Sequence, residues 1–514
     1  MDTDILKQDR GITAFVYQVL TEEIQAMQYF WLALPIILVI GLLFHLWKRP
    51  RNFPPGPWTI PVFGNFLQLD YRNPLPDFNK LAKRYGNVFR IYLGSNPSVL
   101  LHGFETVKEA LVNQAEAFAH RTKHPAMNII CNRKGLIMVP SGQHWKEHRR
   151  FCLMVLRNFG MGKKTMDVRI KEEITYFVRA LEDQGDTPFD PSNLVNRTVG
   201  NIISSVLFGH RYDYEDHFFG QIIQSIHENM KMAFGMWGEI YNALPFLRCL
   251  PLPFQNMFKN SKIIQAFLKK EIEEHKESWI PNDPRDYTDC YLDELKKRNN
   301  DGSSFDEESL LHSLVDLLVG ASDTVSSAVM WMILMMVTYP GIQAKCYNEI
   351  YSLEQSKTDG LCYEDKTKLP YIQAVLHEVL RFRTLVPVVL HGVSQEVTLS
   401  GYTIPKETRI MASLTSVLHD ESQWKFPHEF NPSNFLNDKG EFVKSEAFMP
   451  FGGGPRSCLG ENLARMELFL IFINLLKNFE FIWPDSSRVP DITPIFGTVI
   501  SPQPFTVRVR QQQP

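Results

Sequence analysis

Three places in the chain combine residue types that can do chemistry. The first is Phe448-Met-Pro-Phe-Gly-Gly-Gly-Pro-Arg-Ser-Cys458-Leu-Gly-Glu461, where one cysteine follows three glycines, Pro455 and Arg456. Gly452, Gly453 and Gly454 permit a tight turn and a close approach to a bulky neighbour. A helix is expected from Glu461 onward, which sets Cys458 near a helix N-terminus, where amides and the dipole favour a thiolate. Such a thiolate suits a single axial bond to a metal. An inert core cysteine is the commoner fate of a lone Cys, and a nucleophile would need a positioned base. A phosphate loop is disfavoured, because no Gly-Lys-Ser/Thr follows the glycines. The second place is Gly320-Ala-Ser-Asp323-Thr324, an acid beside an alcohol within an apolar run. The third is Glu378-Val-Leu-Arg381, whose ends stand at i, i+3 and can pair on one helix face.

Helices must position these groups. Residues 306–338 lack Gly and Pro except Gly320 and are apolar nearly all round, which predicts a helix through the core. Asp316 and Asp323 interrupt it too early for a membrane span. Gly320 and Thr324, one turn apart, suggest a local opening of this helix over a ligand. Trp145 and Arg149, at i, i+4, share a face of another expected helix. Val88–Leu101 reads as two short strands around a Gly-Ser-Asn-Pro turn, and further pairs are expected near Val397–Ile404 and the C-terminus. The class is mainly α with small sheets.

With 44% hydrophobic residues over 514 positions, a large core is available, and a net charge of −3 gives no pull towards nucleic acid. Seven cysteines with no C-x-x-C pair argue against a disulfide framework or a zinc site. Residues 24–47 contain no Asp, Glu, Lys or Arg, long enough to cross a hydrocarbon layer as a helix. Tyr29, Phe30, Trp31 and Trp47 suit interfacial belts, and Lys48, Arg49 and Arg51 mark the following side as cytoplasmic. The expected organisation is a short lumenal segment 1–23, an uncleaved anchor 24–47, a basic and Pro-rich hinge 48–58, and a cytosolic body 59–514. Residues 241–258 mix prolines with Leu, Phe and Met, as either a second lipid-touching loop or an apolar packed loop.

Phe451, Gly454, Arg456, Cys458 and Gly460 match Phe-x-x-Gly-x-Arg-x-Cys-x-Gly, and the chain thereby resembles the cytochromes P450. The Pro-rich segment after the anchor and the stretches 201–216 and 283–292 are similar to microsomal family 2 members. The resemblance implies the P450 fold, a helical haem-binding domain with small sheets, behind one transmembrane helix. It implies haem b with Cys458 as axial ligand of the iron, and Arg121, Trp145, Arg149, His391 and Arg456 as donors to the propionates. It implies Asp323 and Thr324 as the catalytic proton-delivery pair, with Ala321 where glycine is usual. Glu378 and Arg381 match the family's buried structural pair, with Asn434 where Arg or His is usual.

The implied reaction is monooxygenation of a lipophilic substrate: hydroxylation or epoxidation of polyunsaturated fatty acids such as arachidonic acid, of steroids or of xenobiotics. Electrons would come from NADPH through the FAD/FMN protein cytochrome P450 reductase, with cytochrome b5 as a candidate second partner, at the endoplasmic reticulum membrane. The basic segment Trp145–Lys164, including Lys163 and Lys164, is either a solvated face or the side that meets the reductase. Ile137, Val139, Val319, Gly320, Val388, Val389 and Phe496 are the expected pocket residues, and Glu407 stands where glycine is usual. The alternatives are a haem-thiolate isomerase or peroxide-rearranging enzyme that needs no reductase, and a non-catalytic haem-binding protein.

Overall fold

A computed structural model describes residues 25, 27–41, 52–60, 62–159, 164–233, 235–298, 304–357, 360–485 and 487–512. The expected lumenal segment 1–23, the end of the anchor and the basic residues Lys48, Arg49 and Arg51 lie outside the described residues, as do Lys163 and the side chain of Lys164. The chain divides into two units, Met1–Phe53 and Pro54–Pro514. In the first, the described part is an apolar helix, Met27–Gly41, whose Phe30, Trp31, Ile36 and Ile37 side chains are exposed. An exposed surface that is apolar but for Gln28 suits a lipid surrounding.

The second unit is mainly helical. The helices that bear on the site are α1 (Leu75–Tyr85), α2 (Gln143–Asn158), α3 (Ser192–Leu207), α4 (His217–Ala233), α5 (Met236–Ala243), α6 (Phe254–Ser278), α7 (Glu307–Thr338), α8 (Pro370–Phe382) and α9 (Glu461–Asn478). Helix α7 begins where Asp306 accepts the amide of Ser309, satisfying one of the free N–H groups of the first turn. It is long and apolar enough to cross a membrane, but most of it is buried inside the protein. It packs on α3, α4, α6, α8 and α9, with Trp331, Leu334 and Met335 fully enclosed. Truncating one such Leu to Ala costs about 2–5 kcal/mol.

Strands β1 (Val88–Leu93), β2 (Asn96–Leu101), β3 (Val388–Gly392), β4 (Val397–Leu399), β5 (Tyr402–Ile404) and β6 (Arg409–Ser413) come from short alternating or β-branched runs. One sheet has the order β1-β2-β6-β3. Its β1–β2 and β6–β3 pairs are antiparallel and β2–β6 is parallel. The parallel pair brings together segments far apart in the chain and sets β3 and β6 beside α1. Strands β4 and β5 form a separate hairpin, and Phe479–Ile482 pairs with Arg508–Gln511 near the C-terminus.

The turn between β5 and β6 carries Glu407 at a φ of +64°, a left-handed conformation that glycine adopts without strain. The side chain is held there by His120, whose Nε2 lies 3.3 Å from the carboxylate.

Candidate cofactor and substrate site

The cysteine loop closes on itself before α9 begins. The amide of Cys458 donates to the Phe451 carbonyl at 2.9 Å, and that of Ser457 to Gly454 at 3.0 Å. Gly454 has a φ of +67°, and a Cβ there would stand 1.9 Å from the Leu111 carbonyl oxygen. The close approach made by Gly454 is therefore to the protein's own backbone and not to a ligand, whereas a Cβ at Gly452 would meet nothing. The Cys458 side chain is accessible, yet burial is the strongest influence on the thiol and pushes its pKa up. A sulfur accessible at its surface and enclosed by protein at longer range faces an internal recess. The Gly460 amide and Arg149 act the other way but are outweighed. The helix terminus alone does not ionise this thiol; a metal ion that takes the sulfur as ligand must displace its proton.

Around that recess stand three guanidinium groups without a carboxylate partner among the described residues. Arg149, on α2, donates from Nη2 to the Ser457 carbonyl at 2.7 Å. Arg456 donates to the carbonyls of Ala119, Leu136 and Val139, and its guanidinium lies 3.8 Å over the Trp145 ring. Arg121 donates from Nε to Ile137 at 3.0 Å, while its Nη1 is buried with no partner. Burial depresses Arg121 to about 10, with Arg149 adding to the effect. Burial, Arg121 and Arg149 together depress Arg456 to about 8. Crowded, poorly hydrated cations call for anions at this place. His391 is buried on β3 with Nδ1 at 2.8 Å from the Phe118 carbonyl, which leaves Nε2 free to meet one. Burial and Arg121 hold its pKa down, at about 3. One thiol beside three unneutralised guanidiniums fits a metal macrocycle bearing two carboxylates, as haem b does.

On α7, Leu317, Gly320, Ala321 and Thr324 recur at i, i+3, i+4, i+7 and are only half-buried, as are Val315, Asp316 and Val319 beside them, whereas the helix from Val325 to Val337 is buried. A Cβ at Gly320 would meet nothing within 4 Å, so this stripe borders open space. The helix does not open there. It is continuous through Gly320–Thr324, and Thr324 Oγ1 donates to the Gly320 carbonyl at 2.7 Å, the usual back-bond of a helical threonine. Asp323, one residue earlier, is buried and pairs with Nδ1 of His227 from α4.

An apolar cavity of about 200 Å³ lies between α1, β1, β3, β6 and α5. Of the expected pocket residues, Ile137, Val388, Val389 and Phe496 line it, together with Arg121; Val139, Val319 and Gly320 do not. Val139 is buried and gives its carbonyl to Arg456. Tyr71, Glu239 and Arg409 line the cavity as well and were not singled out from sequence. For Glu239 and Arg409 the sequence signal is charge in otherwise apolar or strand-forming segments, and Tyr71 carries no such signal. Glu239 and Arg409 form an ion pair at 2.6 and 3.0 Å.

Below the site, Glu378 and Arg381 are wholly buried and joined by two hydrogen bonds of 2.7 and 2.8 Å. Arg381 also donates to the carbonyls of Leu418, Phe426, Pro427 and Glu429. Asn434 donates to both Glu378 oxygens, so the third member of the network is present with a shorter side chain. On the other side of the cysteine loop, Lys146, Arg150 and Arg157 are exposed around a groove that also includes Trp145, Arg149 and Pro455.

The sequence model of the family described as Cytochrome P450 matches residues 54–509. Cytochrome P450 2J2 of Homo sapiens is 39% identical over 462 residues, covering 88% of this chain and 90% of the relative. Cytochrome P450 2F2 of Mus musculus is 40% identical over 459 residues, 88% and 93% of the two chains. Cytochrome P450 2C3 of Oryctolagus cuniculus is 38% identical over 476 residues, 92% and 97%.

Proposed function

The chain belongs to the cytochrome P450 family and is a haem-thiolate monooxygenase, and on that premise we propose that it oxygenates lipophilic molecules at the endoplasmic reticulum with electrons from NADPH. The reductase with FAD and FMN is the proposed donor and cytochrome b5 a second one, meeting the exposed basic groove beside Pro455. The helix Met27–Gly41 is the proposed anchor, with the body on the cytosolic side. The proposed substrates are polyunsaturated fatty acids such as arachidonic acid, steroids and xenobiotics. The observation that carries the reading is Arg121: it belongs both to the cation cluster around Cys458 and to the wall of the apolar cavity.

In this reading Cys458 holds the iron, and Arg121, Arg149, Arg456, Trp145 and His391 hold the propionates of haem b. Bound there, haem supplies the iron at which O2 is reduced, one atom entering the substrate and the other leaving as water. Ile137, Val388, Val389 and Phe496 orient an apolar substrate and keep water from it. Thr324 Oγ1 carries a proton that it now gives to the Gly320 carbonyl, and Asp323 is the carboxyl beside it that exchanges protons with the interior. Glu378, Arg381 and Asn434 clamp α8 to the segment that precedes the cysteine loop.

The test is incubation of membranes bearing the full chain with reductase and a panel of fatty acids, steroids and drugs. Product that requires both NADPH and O2 is expected. Turnover of a peroxide without NADPH, or haem binding without any turnover, overturns the proposal.

A further inference from the structure

The cavity is apolar apart from five lining residues. Its polar residues are Tyr71, Arg121, Glu239, Arg409 and Thr498. Arg121 belongs to the cation cluster, and Thr498 Oγ1 is spent on the Met230 carbonyl at 2.6 Å. Arg409 reaches across from β6 to Glu239 on α5 with both Nη groups. Burial acts against ionisation of Glu239, and Arg409 and His124 overcome it, holding its pKa at about 2. The charges of Glu239 and Arg409 therefore cancel each other. What remains is two donors, the Tyr71 hydroxyl and Arg409 Nε–H, both buried with no partner among the described residues, and Tyr71 lies within the electrostatic reach of both Glu239 and Arg409.

We infer that Tyr71 and Arg409 form a polar anchor for an uncharged oxygen of the substrate, a hydroxyl or carbonyl carried on a lipophilic chain or ring. This deepens the reading of the cavity as the substrate chamber and rests on it. A buried donor left unpaired is costly, and an acceptor on the ligand removes that cost. A site built around such donors rejects the analogue that lacks the acceptor. A carboxylate is disfavoured at this anchor, because it would put a second anion next to Glu239 around a single guanidinium; among the proposed substrates the anchor therefore favours hydroxyl- and carbonyl-bearing steroids and xenobiotics and fatty-acid esters over free fatty acids. Arg409 and Glu239 thus set selectivity by neutralising each other, and Tyr71 supplies the donor that can turn to a ligand.

The experiment measures dissociation constants of dodecane, dodecanol, methyl dodecanoate and dodecanoate for the haem-loaded full chain, by spectral titration and equilibrium dialysis. The wild type is expected to bind the alcohol and the ester about 10-fold tighter than dodecanoate, and tighter than dodecane. Tyr71→Phe is expected to cut the preference for alcohol and ester over dodecane several-fold, with dodecane affinity unchanged. The paired change Glu239→Gln with Arg409→Met, which leaves no lone buried charge, is expected to do the same. An unchanged preference in Tyr71→Phe, or dodecanoate as the tightest ligand, overturns the anchor while the chamber stands. Failure of every ligand, dodecane included, to bind the wild type overturns the chamber and the anchor together.

Discussion

The imidazole of His227 on α4 closes on the buried carboxylate of Asp323 on α7. His227 keeps partial access to solvent, with 27% of its side chain exposed, against 7% for Asp323. The pair therefore joins an interior acid to a residue that can exchange protons with water. His227→Phe is expected to lower kcat about 3- to 10-fold with little change in KM, below the range of a direct general acid. Asp323→Asn should cost more. A solvent isotope effect on kcat that grows in His227→Phe supports the link, and an unchanged one counts against it.

Thr324→Ala separates chemistry from folding. Among the described residues the hydroxyl makes only a back-bond to Gly320, and alanine is the better helix former by about 0.5 kcal/mol. Stability should hold while peroxide release rises at the expense of product. Oxygen, NADPH and product balances read this directly. Unaltered coupling removes Thr324 from proton delivery.

Arg121→Leu tests the cation cluster. The protein gives Arg121 one carbonyl partner and leaves Nη1 without any, so the chain gains little from its charge. Haem should leave the variant about 10-fold faster, the loss of one charge-assisted hydrogen bond. Transfer to a haem-accepting protein measures it, and Arg121→Lys should recover part of the retention.

Glu378→Gln leaves Arg381 charged and wholly buried, and a loss of about 3–5 kcal/mol is expected. Asn434→Ala removes the amide that reaches both Glu378 oxygens and bonds the Phe426 amide and carbonyl, and should cost about 1–3 kcal/mol. Denaturant titration of the two variants gives the ratio.

His275 supplies a pH dependence far from the site. Burial lowers its pKa, but the hydrogen bond to Asp286 at 3.1 Å overcomes this and raises it from 6.5 to about 8. A raised histidine pKa stabilises the folded state while the unfolded histidine is also protonated, and the contribution fades as the folded one loses its proton. The stability gap between wild type and His275→Gln should be full below pH 6.5 and shrink through pH 8. A gap independent of pH across that window assigns His275 a packing role alone.

The sequence by itself determined what depends on local spacing. An apolar run with a single glycine became α7, ending at Thr338, with Asp306 as its cap. An i, i+3 acid and arginine became an ion pair, although its burial was implied by the resemblance and not by the spacing, and Glu461 opened the helix behind Cys458. These follow from helix periodicity and capping, which the order of residues contains. The opening at Gly320 was not found, because a threonine one turn on satisfies the carbonyl that would have been freed.

Tertiary structure decided the rest. Arg409 and Glu239 stand 170 positions apart, and nothing in either neighbourhood names the other; the parallel pairing of β2 with β6 and the lie of α5 bring them together. The same holds for His227 and Asp323, which meet only because α4 packs on α7. Gly454 was legible as a tight turn, but that its neighbour would be Leu111 and not a ligand depended on the fold. Long-range partners are chosen by topology and by the desolvation cost of leaving a buried charge alone, and neither is written in the spacing of residues along the chain.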